Sequence, residues 1–89
     1  MPSVVLRIRL LESSDPDADQ HRLHEIMRLV QASPGDHPAY LTVKSVGEQV
    51  TLELPPCEAS YALMAELRAT LGEFGAAEVE STSLPVAGG

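Results

Sequence analysis

An 89-residue chain fits one domain and leaves little room for a second core or a deep enclosed active site. Six basic residues against thirteen acidic ones give a formal charge of -7, and a field of that sign repels phosphate backbones, so direct nucleic-acid binding is disfavoured. Apolar content of 44% is ordinary for a folded domain, and with Tyr40, Tyr61 and Phe74 as its aromatics the core must come from Leu, Val, Ile, Met and Ala.

The first segment, Val4 to Leu10, alternates: Leu6, Ile8 and Leu10 share one face, while Val5, Arg7 and Arg9 share the other. It reads as a strand. Glu12 to Pro16 is polar and interrupted by proline, hence a loop. Asp17 with Gln20 three residues on has the form of a capping box, which places a helix start near Ala18. Leu23, Ile26, Met27 and Val30 then fall at i, i+3, i+4 and i+7, a single apolar stripe.

Ser33 to Pro38 contains two prolines and a glycine and cannot continue that helix, so the chain is expected to reverse there. Two alternating segments follow. Leu41 and Val43 mark the apolar face of the first; Val50, Leu52 and Leu54 mark that of the second, with Ser45-Val46-Gly47-Glu48 as the hairpin connection. Pro55-Pro56 is expected to end the third strand. Ser60 is the candidate N-cap of a second helix from about Tyr61 to Leu71, whose stripe is Leu63, Met64, Leu67 and Leu71, with Gly72 at its left-handed stop. Ala76 to Glu80 supplies a short final strand with Ala77 and Val79 inward. A single domain over residues 1–80 is expected, with 81–89 as a flexible tail.

The order βαββαβ predicts an α+β fold of ferredoxin-like type: a four-stranded antiparallel sheet with two helices on one face. The uncovered face would carry Arg7, Arg9, Thr42, Lys44, Thr51, Glu53, Glu78 and Glu80. With the first strand between the third and fourth, the two arginines would lie beside Glu53, Glu78 and Glu80 and be largely neutralised.

No catalytic, cofactor-binding or metal-binding residue is assigned. Asp15, Asp17 and Asp19 alternate like the start of a calcium loop, yet Gln20 and Ile26 stand where such a loop needs glycine and a bidentate glutamate. His21 and His24 are three apart on a helix, but no spacing recruits Glu25 or His37 as a third zinc ligand. Cys57 stands beside Glu58 with no neighbouring base to activate it, and as the lone cysteine it agrees with a reducing compartment. Met27 and Met64 read as core. No glycine loop opens a helix to cradle phosphate, and no nucleophile stands with its base, so catalysis by this chain alone is not expected. No apolar run approaches the ~20 residues needed to cross a bilayer, and a cytoplasmic location is the default.

The segments Leu6-Arg7-Ile8-Arg9-Leu10, Leu23 to Val30, Ser33-Pro34-Gly35-Asp36-His37-Pro38-Ala39-Tyr40-Leu41, Val50 to Leu54 and Leu63 to Gly72 together resemble the extreme C-terminal region of the bacterial replicative DNA polymerase III alpha subunit. The Pro-Gly-Asp helix stop followed by a strand is the most telling match. The resemblance spans approximately Val4 to Val79, through short motifs. It implies a non-catalytic domain that holds the clamp-loader tau subunit and ties the polymerase to the replisome. The polymerase aspartates would then lie outside this chain, and no residue is carried over as a partner contact. The alternative is a small dimeric regulatory module of the ACT-like kind, holding a metabolite where two domains meet. That alternative calls for a glycine in the first strand-to-helix connection, and Glu12 to Asp19 has none.

Overall fold

The computed structural model describes residues 3–82. Its elements are β1 (Ser3–Leu11), α1 (Pro16–Gln31), β2 (Pro34–Ser45), β3 (Glu48–Cys57), α2 (Tyr61–Leu71), a 3-10 turn (Gly72–Phe74) and β4 (Gly75–Thr82). Each expected element is present. Leu6, Ile8 and Leu10 lie on the buried face of β1, against Ile26, Leu29 and Val30 of α1 and Leu63, Met64, Leu67 and Leu71 of α2. Both helices roof that face and pack on each other.

The sheet corrects the expected wiring. Its order is β3-β2-β1-β4, a mixed sheet in which β1 runs parallel to β2, with Leu6 opposite Ala39 and Ile8 opposite Leu41. The fully antiparallel ferredoxin-like arrangement would instead place β3 between them. Two prolines explain the difference. Pro55 and Pro56 lie inside β3, and a strand with residues that cannot donate to a ladder belongs at an edge. β2 suits the inner place, with Ala39 and Leu41 fully buried and Tyr40 and Thr42 half-covered.

Boundaries shift for related reasons. Helix α1 begins earlier than expected because Asp15, not Asp17, is its N-cap: the Asp15 carboxylate accepts from the N–H groups of Asp17 (3.1 Å) and Ala18 (3.2 Å), and Pro16 fills the first helical position. Pro34 to Pro38 is already strand rather than a turn. Its pairing with β3 is irregular there, since Pro34 and His37 both face Cys57 before Ala39 meets Leu54. At Gly35 a Cβ would lie 2.6 Å from Glu58 N and 2.7 Å from Cys57 C, so two backbones meet where only glycine fits.

Val46-Gly47 forms a two-residue loop between the paired Ser45 and Glu48. Gly47 has φ 79° while Val46 stays at negative φ, the sign pattern of a type II turn. Ser60 caps α2 through Leu63 N–H (3.1 Å), as expected, and the helix stops at Gly72. Gly72 has φ 55° and ψ -128°, a glycine conformation outside the left-handed helical well, and leads into the 3-10 turn. β4 pairs through Ser81 and Thr82, two residues past the expected boundary at Glu80; residues 83–89 lie outside the described residues.

Candidate functional site

The uncovered sheet face forms rows across the strands. One row runs Glu53, Tyr40, Arg7, Glu78; the next runs Thr51, Thr42, Arg9, Ala76. Arg7 donates from Nε to Glu80 Oε2 at 2.8 Å, and its guanidinium stands 5.6 Å from the Tyr40 ring centre. The hydrogen bond and charge of Glu80 raise the Arg7 pKa further. Because β2 intervenes, Glu53 pairs with Tyr40 and is not a neighbour of the arginines. The neutralisation expected for both arginines therefore holds for Arg7 alone. Arg9 has no acidic hydrogen-bond partner among the described residues and borders a shallow depression with Thr42, Ala76, Glu78 and Glu80. The Thr42 and Thr51 hydroxyls meet at 3.1 Å.

The other candidate residues lie away from this face. Asp19 accepts from Ser13 Oγ (2.6 Å) and Ser13 N–H, and receives Arg22 Nη1 at 2.9 Å; the Ser13 bonds, then Arg22, hold its carboxyl below the usual range. Arg22 in turn lies 4.2 Å from the Phe74 ring centre, so this chain of contacts ties the β1–α1 loop to the end of α2. Glu25 is taken by Arg28, whose hydrogen bond lowers its pKa. His21 and His24 are exposed on α1, whereas His37 Nδ1 accepts the Ala59 N–H at 3.0 Å and fastens the β3–α2 connection. Among the described residues, no three His, Cys, Asp or Glu side chains converge to hold a metal ion. Cys57 is fully buried, and burial followed by the Glu58 charge pushes its thiol pKa up.

A second feature lies along β3. Val50, Leu52 and Leu54 share the helix-side face through their partners Val43, Leu41 and Ala39. Leu54 is 4% exposed, but Leu52 is 43% and Val50 51% exposed. The helices cover one end of the strand and leave the other bare. Beside it runs a groove lined by Leu10, Pro16, Leu23 and Val43, with Glu12 at its rim. Alternation marks these residues as an apolar face but not how far the roof reaches: β2 and β3 carry 12 and 10 residues, while α1, the helix packed over β3, carries 16. At ~3.3 Å per strand residue and ~1.5 Å per helix residue, the hairpin is roughly one and a half times as long as α1 and runs out from under it.

No described helix is long and apolar enough to cross a membrane. Compared with known proteins, the chain matches no family model and no curated protein.

Proposed function

We propose that this chain is a non-catalytic protein-interaction domain. The observation that carries the reading is the half-exposed apolar end of β3, Val50 and Leu52, on a strand whose outer edge has no sheet neighbour among the described residues. An uncovered apolar strip beside free backbone groups is the chemistry that another polypeptide can satisfy. The acidic balance of the domain favours a partner surface with basic character around an apolar centre.

In its particular form, the proposal assigns the domain to the end of a bacterial polymerase III alpha subunit, with the clamp-loader tau subunit as its partner and DNA replication in the cytoplasm as its setting. What supports this form is the resemblance through Pro34-Gly35-Asp36-His37-Pro38 and the strand it opens. The regulatory-module reading is weaker, because with β1 and β2 adjacent the chain lacks the split βαβ unit of ferredoxin-like domains. Calorimetric titration with the tau subunit from the same source tests the particular form. Saturable binding that weakens on Leu52→Lys is expected; no heat and no co-elution at tens of micromolar overturns it.

A further inference from the structure

We infer that the free edge of β3 pairs with the β3 edge of a second copy of this chain, antiparallel about a two-fold axis at Thr51, to give one continuous eight-stranded sheet. The backbone geometry selects the register. Ser45 and Glu48 face each other across a two-residue loop, as a pair that exchanges backbone hydrogen bonds does. Alternation then directs Glu48, Val50 and Leu52 toward β2, and turns the N–H and C=O groups of Gln49, Thr51 and Glu53 outward. Thr42 and Thr51 agree, since hydroxyls 3.1 Å apart suit the closer, non-hydrogen-bonded type of pair. Pro55 also falls at an outward place, where its missing N–H costs the β2 ladder nothing.

With the axis at Thr51, Thr51 faces its own copy and Gln49 faces Glu53 of the second copy, so all the outward groups from Gln49 to Glu53 find partners. Val50 then faces Leu52 of the second copy on the helix side, joining the two bare apolar strips. Charge is accommodated as well. Each Glu53 meets a glutamine amide, which can donate to it, and stands four residues, ~13 Å, along the strand from its symmetry mate. That separation exceeds the ~8 Å Debye length at physiological salt. Moving the axis to Glu53 would set two carboxylates face to face, and moving it to Gln49 would bring the hairpin loop into the ladder.

The opposite edge, β4, is guarded. Glu78 and Glu80 are two residues apart on its uncovered face, so a two-fold axis at Val79 opposes Glu78 to Glu80, and one at Glu78 opposes that residue to itself. Pairing through β3 alone closes as a dimer and does not propagate. A strip one strand wide falls short of the ~1,200 to 2,000 Å² of a stable interface, so the pairing is expected to be weak and to depend on concentration. A charge of -7 on each copy opposes association, so added salt strengthens it.

Sedimentation of the full chain from about 10 μM to 1 mM, at low and high salt, tests the inference, together with amide exchange at the two extremes of concentration. The expected result is a monomer–dimer equilibrium favoured by salt, in which the Gln49, Thr51 and Glu53 amides gain protection with concentration while Val50 and Leu52 are protected throughout. Thr51→Pro, which removes an outward N–H, and Leu52→Lys, at an already exposed position, are each expected to return the chain to monomer with its helical circular dichroism intact. Should Thr51→Pro not fold, Leu52→Lys alone decides. A chain that stays monomeric at the highest concentration, a dimer that survives Leu52→Lys, or protection of Thr51 N–H only when a different protein is added, overturns the inference. Because the tau subunit would draw on the same strip, its binding is read by calorimetry at chain concentrations below the dimer range, where each result can fail without the other.

Discussion

The two halves of the β2–β3 hairpin are built from the same alternating pattern and meet opposite fates. Near the helices, Ala39, Leu41, Leu54 and Cys57 are sealed, Gly35 lies against the Cys57 and Glu58 backbone, and Glu58 N–H donates to Ser33 O at 2.8 Å. Beyond Leu52 the same face is open. Hydrophobic alternation defines which side of a strand is apolar, whereas burial depends on how far the covering elements reach. The sealed half holds the fold; the open half is free to hold something else.

Thiol chemistry gives the widest separation between the halves. Cys57 is expected to react with a neutral alkylating reagent at least about a thousandfold more slowly than a cysteine placed by Val50→Cys in a Cys57→Ala background, because Cys57 must wait for opening of the domain. Equal rates would show that the proximal half opens freely. Burial also raises the folded-state thiol pKa above that of the unfolded chain. The folded chain therefore holds the proton more tightly, so the contribution is complete below the unfolded thiol range and is lost as pH rises toward the folded value. Wild-type chain should lose stability at alkaline pH relative to Cys57→Ala, read as diverging urea midpoints.

Leu54→Ala should cost about 2 to 5 kcal/mol in urea unfolding, the range for deleting a buried leucine side chain. Gly35→Ala comes next, at about 1 to 3 kcal/mol, because the added methyl meets backbone at 2.6 to 2.8 Å and the two strands must part. A cost under about 0.5 kcal/mol for either would mean that the proximal half is not the seal described.

His37→Ala leaves the Ala59 N–H without its acceptor and should cost about 1 to 3 kcal/mol, with His37→Asn recovering part of it through the amide oxygen. Equal losses in both variants would assign the effect to packing. The expected result places a histidine inside the fastening of α2, where a reading of His21, His24 and His37 as metal ligands would not have put it.

How much of this was legible follows from what each signal encodes. The βαββαβ order, the stripe Leu63-Met64-Leu67-Leu71 and the Ser60 cap depend on local periodicity and hydrogen bonding, which the chain carries within a few residues. Strand neighbours are not local. Arg7, Tyr40 and Glu78 become one row through pairings tens of residues apart, and the available clue, two prolines marking β3 as an edge, reads equally as the end of a strand. Asp17 offers a competing box two residues on that masks the Asp15 cap; Pro16, which fits the first helical position, decides between them. The candidate site was least legible, since Val50 and Leu52 differ from Leu54 only in what lies above them.

The smallest effect is the sharpest check on the open half. Leu52→Thr introduces a β-branched, strand-compatible residue and removes apolar surface that is already 43% exposed. Measured at low micromolar concentration, it should change stability by less than about 1 kcal/mol, well below Leu54→Ala at a site two residues away on the same face. The contrast depends on concentration. If Leu52 is covered by a second copy near 1 mM, the same substitution should become costly there, because a hydroxyl then enters an apolar contact with Val50 of the other chain. A loss that is large and independent of concentration would place Leu52 within the monomer's own core, and the division of the hairpin into a sealed and an open half would fail.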